Sequence, residues 1–269
     1  MKNTILLILA SVIVFGPSVH ASDVNGNGRE EILVPLAFSP SQTMNGAYGT
    51  VWTGEVWVEN SSSRRILLAE APICNVGCAT FLNGAYSGLV PIQMGRPELG
   101  MIFIPPADIA DQLTFSARIY ETTRLGQPRG VDIPVVREHE FFRKPATFLG
   151  VPVRDGVRVT LRVYDPRVWD FGRNPFGPPV TFGVSVFDED AKLIGTTVMA
   201  ARVQDIGDGF GTSRPASDIL GDLTTIFPAI AAHNRVKIVV TPEKPDTEFW
   251  ALVSVTDNES QTVSLITAQ

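Results

Sequence analysis

Apolar and polar residues alternate with a period of two along most of this chain, and that period confines it to strands with one dry face. In TVWTGEVWVEN, Trp52, Gly54, Val56 and Val58 share one face while Glu55, Trp57 and Glu59 share the other. In QLTFSARIYET the inward set is Leu113, Phe115, Ala117 and Ile119. In GVRVTLRVYD it is Val157, Val159, Leu161 and Val163, with Arg158, Thr160 and Arg162 turned to water. Half-buried strands of this kind belong to antiparallel sheets. Such runs fall near residues 31–38, 50–59, 63–69, 88–93, 99–104, 112–121 and 131–137, and again near 146–151, 156–164, 179–187, 192–203, 234–241, 248–257 and 261–267. Seven short strands with turn signals between them is the pattern of an immunoglobulin-like sandwich, and here it occurs twice.

The expected fold is therefore all-β, as two tandem immunoglobulin-like antiparallel β-sandwich domains. The charged stretch REHEFFRKP, Arg137 to Pro145, is the junction, so the domains span 22–140 and 141–269. One short helix is expected in the second domain, within PASDILGDLTTIF, with Ser217 as its cap and Leu220, Leu223 and Phe227 on one side. Pro35, inside EILVPLAF, places that strand at an edge or a bulge, where a missing N–H is tolerated. Trp57 shares its face with two glutamates, which points to cover from a loop or, preferably, from the contact between domains. MIFIPPADIADQLTFSARIYETTRLGQPRGVDIPVV parallels VKIVVTPEKPDTEFWALVSVTDNESQTVSLITA at the chain end, each reading strand, proline, polar turn, long strand, turn, strand. That parallel suggests two related domains produced by duplication.

The first 21 residues supply Lys2, an apolar run from Ile5 to Phe15, a Gly16-Pro17 break and the small residues before Ser22. This is the layout of a secretory signal peptide, and it implies a secreted or periplasmic protein. The run is too short for a spanning helix, and no later segment is apolar for long enough, so no membrane span is expected. Removal of 21 of the 269 residues leaves 248, enough for two domains of ordinary size. It also removes Lys2, which takes the formal charge from −6 to −7 and makes nucleic acid an unfavourable partner. In an exported chain, the two cysteines of PICNVGC, Cys74 and Cys78, read as a disulfide closing a tight loop. A redox or copper site finds no support, since no histidine and no βαβ pattern stand nearby.

Two stretches invite a binding role. DVNGNGREE places Asp23, Asn25, Asn27 and Glu31 at positions one, three, five and nine of a calcium loop, with the Arg29 carbonyl at position seven. Position twelve is Val34, which lacks the bidentate carboxylate, so a metal there would be a weakly held calcium. The other reading, a polar lead-in to the first strand, is preferred. YDPRVWDFGRNPFGPP offers Trp169, Phe171 and Phe176 beside Arg167 and Arg173, a candidate binding surface for a sugar or a protein pocket. Its plainer reading is that the rings close one end of the core.

The remaining features point away from catalysis. His139 and His233 have no G-x-S-x-G elbow or H-E-x-x-H motif to work with. FDEDAK, with Asp188 to Asp190, reads as a hairpin tip, and the glycines of DIGDGFGTS as a connection. Asn60 and Asn258 stand in N-x-S sequons. No cofactor is expected.

Taken together, ILVPLAF, NGAYGTVWTGEVWVEN, VDIPVVRE, RVTLRVYDP and FWALVSVTDNES resemble a group of uncharacterised secreted bacterial proteins with two tandem β-sandwich domains. The resemblance implies the fold; the group has no assigned activity, so it transfers no functional residue. The expectation is a secreted, non-enzymatic interaction or structural module of the bacterial envelope or exterior, with a protein or glycan partner. The alternative is a carbohydrate-binding protein or glycan-active enzyme that uses the Trp169 loop.

Overall fold

The structure is a computed structural model describing residues 28–37, 43–69, 80–90, 100–123, 130–166, 178–202 and 215–269. It is all-β, built of antiparallel strands with only short helical turns between them. The N-terminal half holds β1 (Ile32–Val34), β2 (Met44–Asn45), β3 (Val51–Asn60), β4 (Ile66–Ala69), β5 (Thr80–Leu82), β6 (Tyr86–Leu89), β7 (Met101–Phe103), β8 (Leu113–Glu121), β9 (Gly130–Ile133) and β10 (Val136–Arg137). The C-terminal half holds β11 (Ala146–Pro152), β12 (Val157–Asp165), β13 (Val180–Phe187), β14 (Leu193–Ala201), β15 (Ala216–Leu220), β16 (Arg235–Pro242), β17 (Trp250–Asp257) and β18 (Val263–Thr267).

In the C-terminal half, one sheet runs β11-β16-β13-β14 and the other β15-β12-β17-β18. Their facing residues form one core: Phe148, Phe182, Val184, Ile238 and Val240 from the first meet Val159, Leu161, Val163, Ala251 and Val253 from the second. In the N-terminal half, β1 pairs with β7 and with β10, β4 pairs with β5, and β3 pairs with β8, β6 and β2, with β9 outside β8. The Ile104 amide donates to the Leu68 carbonyl at 2.9 Å, which sets β7 beside β4. The neighbours then read β1-β7-β4-β5 and β6-β3-β8-β9. This is the plan of the C-terminal half, with β1 answering to β11, β3 to β12, β4 to β13 and β8 to β17. The repeated sequence pattern thus corresponds to matching strands, β7-β8-β9 and β16-β17-β18, within two copies of one pairing scheme.

Among the described residues no strand pairing joins the halves; side chains do. Leu33, Ile102, Ile104, Val136 and Phe141 of the N-terminal half and its linker pack with Tyr164, Trp250 and Leu252 in a third buried cluster. These residues stand on the outer faces of strands whose inner residues fill the two main cores: Ile32 and Val34 face one way and Leu33 the other. Burial of each such side chain contributes about 1.5–3 kcal/mol. The Tyr164 hydroxyl, fully buried, donates to the Pro35 carbonyl at 2.6 Å across this contact. The rings of Tyr164 and Trp250 lie 6.2 Å apart.

Several expectations need correction. PASDILGDLTTIF begins as a strand, β15, paired with β12, because Ala216 and Ser217 are drawn into the sheet. The helix is only Leu223–Ile226, and its cap is Asp222, whose side chain accepts from the Thr224 amide at 3.1 Å, rather than Ser217. Pro35 does not mark an edge, since β1 is flanked on both sides; it ends the strand just past Val34. Trp57 is not at the contact between the halves but 44% exposed on the outer face of β3. The hairpin at FDEDAK is present, closed by the Asp188 amide on the Lys192 carbonyl at 2.9 Å.

Candidate functional site

Most of the residues singled out from the sequence fall where the structure gives no description. Asp23, Asn25 and Asn27, the cysteines Cys74 and Cys78, and the whole of Arg167, Trp169, Phe171, Arg173 and Phe176 lie outside the described residues. Glu31 is described: it is 4% exposed at the head of β1, and its amide donates to the Glu138 carboxylate at 3.2 Å. The segment before it is paired too, with the Glu30 amide on the Pro105 carbonyl and the Ala107 amide on the Gly28 carbonyl, both at 3.0 Å. Among the described residues no three His, Cys, Asp or Glu side chains converge as metal ligands. The strand β12 ends at Asp165, next to Tyr164 of the contact between the halves.

Glu30, Arg137 and Glu138 tie that region together. Arg137 reaches the buried Glu30 carboxylate at 2.8 Å and donates to the carbonyls of Ala110 and Leu113 at 3.1 and 2.8 Å. Burial pushes the Glu30 carboxyl above its ordinary value, and the Arg137 charge only partly opposes this. The pair is a structural clamp holding β1 and β10 to the turn Ala107–Gln112.

The linker that follows is anchored rather than slack. Phe142 and Phe249 exchange backbone hydrogen bonds at 2.7 and 3.0 Å, and Arg143 holds Glu248 at 2.5 Å. Beside it opens a groove of about 600 Å³ lined by His139, Phe141, Phe142, Arg143, Lys144 and Gln269, among others. It offers rings and positive charge, though Arg143 is committed to Glu248. His233 stands apart, 3.1 Å from the Glu189 carboxylate at a hairpin tip. His139 and His233 therefore belong to separate places.

Trp57 is the exposed tryptophan among the described residues. On the outer face of the β6-β3-β8-β9 sheet it sits opposite Ser116 on β8 and Leu89 on β6. Glu55 and Glu59 flank it along β3, and Glu55 faces Arg118, which lies 3.7 Å from Asp132. The strands beneath are held by a buried core of Trp52, Val56, Val58, Ala117 and Ile119, so the ring is presented by a stiff surface. Asn60, one of the sequon residues, is fully buried; its amide bonds the carbonyls of Arg64 and Asn83 at 2.9 and 2.8 Å. It is a loop anchor.

Sequence reasoning placed Trp57 on the right face of its strand and misjudged what covers that face. It overlooked Tyr164 and Trp250 as a pair. Their signal was available: in FWALVSV the alternation lapses into a continuous apolar run, the mark of a strand buried on both faces.

No protein-family model matches the chain, and no curated protein or solved structure matches it either.

Proposed function

We propose that this is an exported, non-enzymatic interaction protein, secreted or periplasmic, made of two related β-sandwich domains at 22–140 and 141–269 with a binding face centred on Trp57. The observation that carries the reading is a tryptophan 44% exposed on a rigid sheet face. Large exposed rings on stiff scaffolds are typical anchors of protein interfaces. Support for an immunoglobulin-like scheme comes from the central pairs β12–β15, β13–β16 and β13–β14, which match strands B–E, C–F and C–C′ of that fold. The first and seventh strands depart from it: β11 lies beside β16 and β17 beside β12. A photo-crosslinking residue at position 57, used in the native culture, is expected to capture a specific protein that the exposed position 149 does not. Equal labelling at both positions counts against the proposal.

A glycan-binding reading has one specific observation in its favour: Glu55 and Glu59 flank Trp57, and a ring between hydrogen-bond acceptors suits a sugar. A glycan screen of the wild type with Trp57→Ala and Trp169→Ala decides it. Binding lost in either variant moves the function to carbohydrate, and no sugar binding at all removes that reading.

A further inference from the structure

The geometry points to β14 as a self-pairing edge: a second copy of this chain docks its own β14 there, antiparallel, about a two-fold axis near Thr196. β14 lies at the margin of its sheet and, among the described residues, takes β13 as its partner strand along its length. At its far end the Ala200 amide is taken by the Asp218 carboxylate at 2.7 Å and Arg202 bridges to Ser217, so the open stretch is 193–199. That stretch reads LIGTTVM, with neither a charge nor a proline.

Sheet edges in soluble proteins are ordinarily blunted by charges, prolines, bulges or cover. Other edges of this molecule follow the rule. β11 has a bulge between Phe148 and Val151, ends on Pro152, and has its Thr147 carbonyl occupied by the Gln269 amide at 2.9 Å. β9 carries Asp132 and is followed by Pro134. β18 packs Val263 and Leu265 against the core of the N-terminal half. On β14 the register shift falls at its first residues, next to Leu193, and the rest is regular. Val198 is 65% exposed and Leu193 51%.

Electrostatics and symmetry favour a second copy as the occupant. A chain of net charge −6 repels itself on average, yet this edge is uncharged and brings no like charges face to face. Antiparallel pairing also lays the hairpin tip of one copy, with Asp188, Glu189 and Asp190 against Lys192, beside the exposed Arg202 of the other. The axis sets Ile194 opposite Val198 of the second copy, a β-branched cross-strand pair, and it closes as an isologous dimer. This goes beyond the proposed function, since a binding protein can be a monomer or a dimer.

Sedimentation velocity of the wild type across the micromolar range is expected to show a monomer–dimer equilibrium. Val198→Lys, at a largely exposed side chain, is expected to weaken the dimer by about tenfold or more without lowering the melting temperature. Arg202→Asp is expected to weaken it as well, and adding Asp190→Arg to restore it. A wild type that stays monomeric, including one whose edge takes an extended segment of another protein, overturns the proposal. So does a Val198→Lys variant that dimerises like the wild type, or a charge swap that restores nothing.

Discussion

The two halves share one strand plan and differ in which face of it is dry. Aligned on Asn60 and Asp165, the last residues of β3 and β12, the cross-strand pair Tyr164 and Trp250 corresponds to Glu59 and Thr114. Arg162 and Leu252 likewise correspond to Trp57 and Ser116. In the C-terminal half Tyr164, Trp250 and Leu252 pack under Leu33, Ile102 and Val136 of the N-terminal half. In the N-terminal half the same face is open: Glu59, Thr114 and Ser116 are exposed, and Trp57 is the only aromatic side chain at the four aligned positions. The two halves thus differ in their outer-face side chains while the pairing beneath is the same. Trp57 stands out for this reason: it is a large ring among polar outer-face positions.

The largest way to break that asymmetry is Trp250→Ala, expected to cost about 3–5 kcal/mol and to split the urea unfolding curve into two transitions as the halves uncouple. The matching change in the N-terminal half, Thr114→Ala, is expected to stay within about 0.5 kcal/mol. Equal effects at the two sites would refute the comparison. Next is Gly100→Ala: its φ is +74°, and an added Cβ would stand 2.9 Å from the carbonyl oxygens of both Val34 and Pro35. A loss of about 2–3 kcal/mol is expected, read from the same curve. Tyr164→Phe removes only the hydroxyl that meets Pro35 and is expected to cost about 1–2 kcal/mol. A cost near zero would show that the Pro35 carbonyl finds another donor.

Acid sharpens the contrast least in size but differs in sign between the halves. Glu30 has its proton affinity raised by burial in the folded chain, so its ionisation opposes folding above its folded pKa, and stability is regained as pH falls through that value. Glu189 is held below the ordinary carboxylate value by its own amide and that of Arg235, and Asp257 by the Ser260 amide. Their contribution is present above the ordinary carboxylate pKa and is lost as pH falls through their folded values. Hydrogen exchange corrected for intrinsic rates, followed from neutral pH into the acid range, is expected to open the 188–192 and 257–262 turns before β1. Opening of β1 first would reverse the assignment.

Much of this was legible in the chain because strand alternation is a local property. TVWTGEVWVEN, QLTFSARIYET and GVRVTLRVYD lie in strands whose inner and outer residues are those the alternation assigns. The helix was misread because ASDIL can satisfy either a helix face or a sheet edge, and β12 supplied the ladder that decided it. The cover on Trp57 was misjudged because nothing local says which of two equivalent outer faces a second half will cover.

By itself, then, the sequence determined that the chain is all-β, that its strand pattern occurs twice, and which face of most strands is buried. Each follows from neighbours two residues apart or from the recurrence of a pattern. Only the tertiary structure decided that β1 and β17 are buried on both faces, that Tyr164 reaches Pro35 across the contact, that Trp57 is exposed, and that β14 stands at the margin of its sheet among the described strands. The physical reason is range: alternation is set by adjacent peptide units, whereas cover on an outer face comes from other elements of the chain, as Leu33 and Ile102 cover Tyr164 and Trp250.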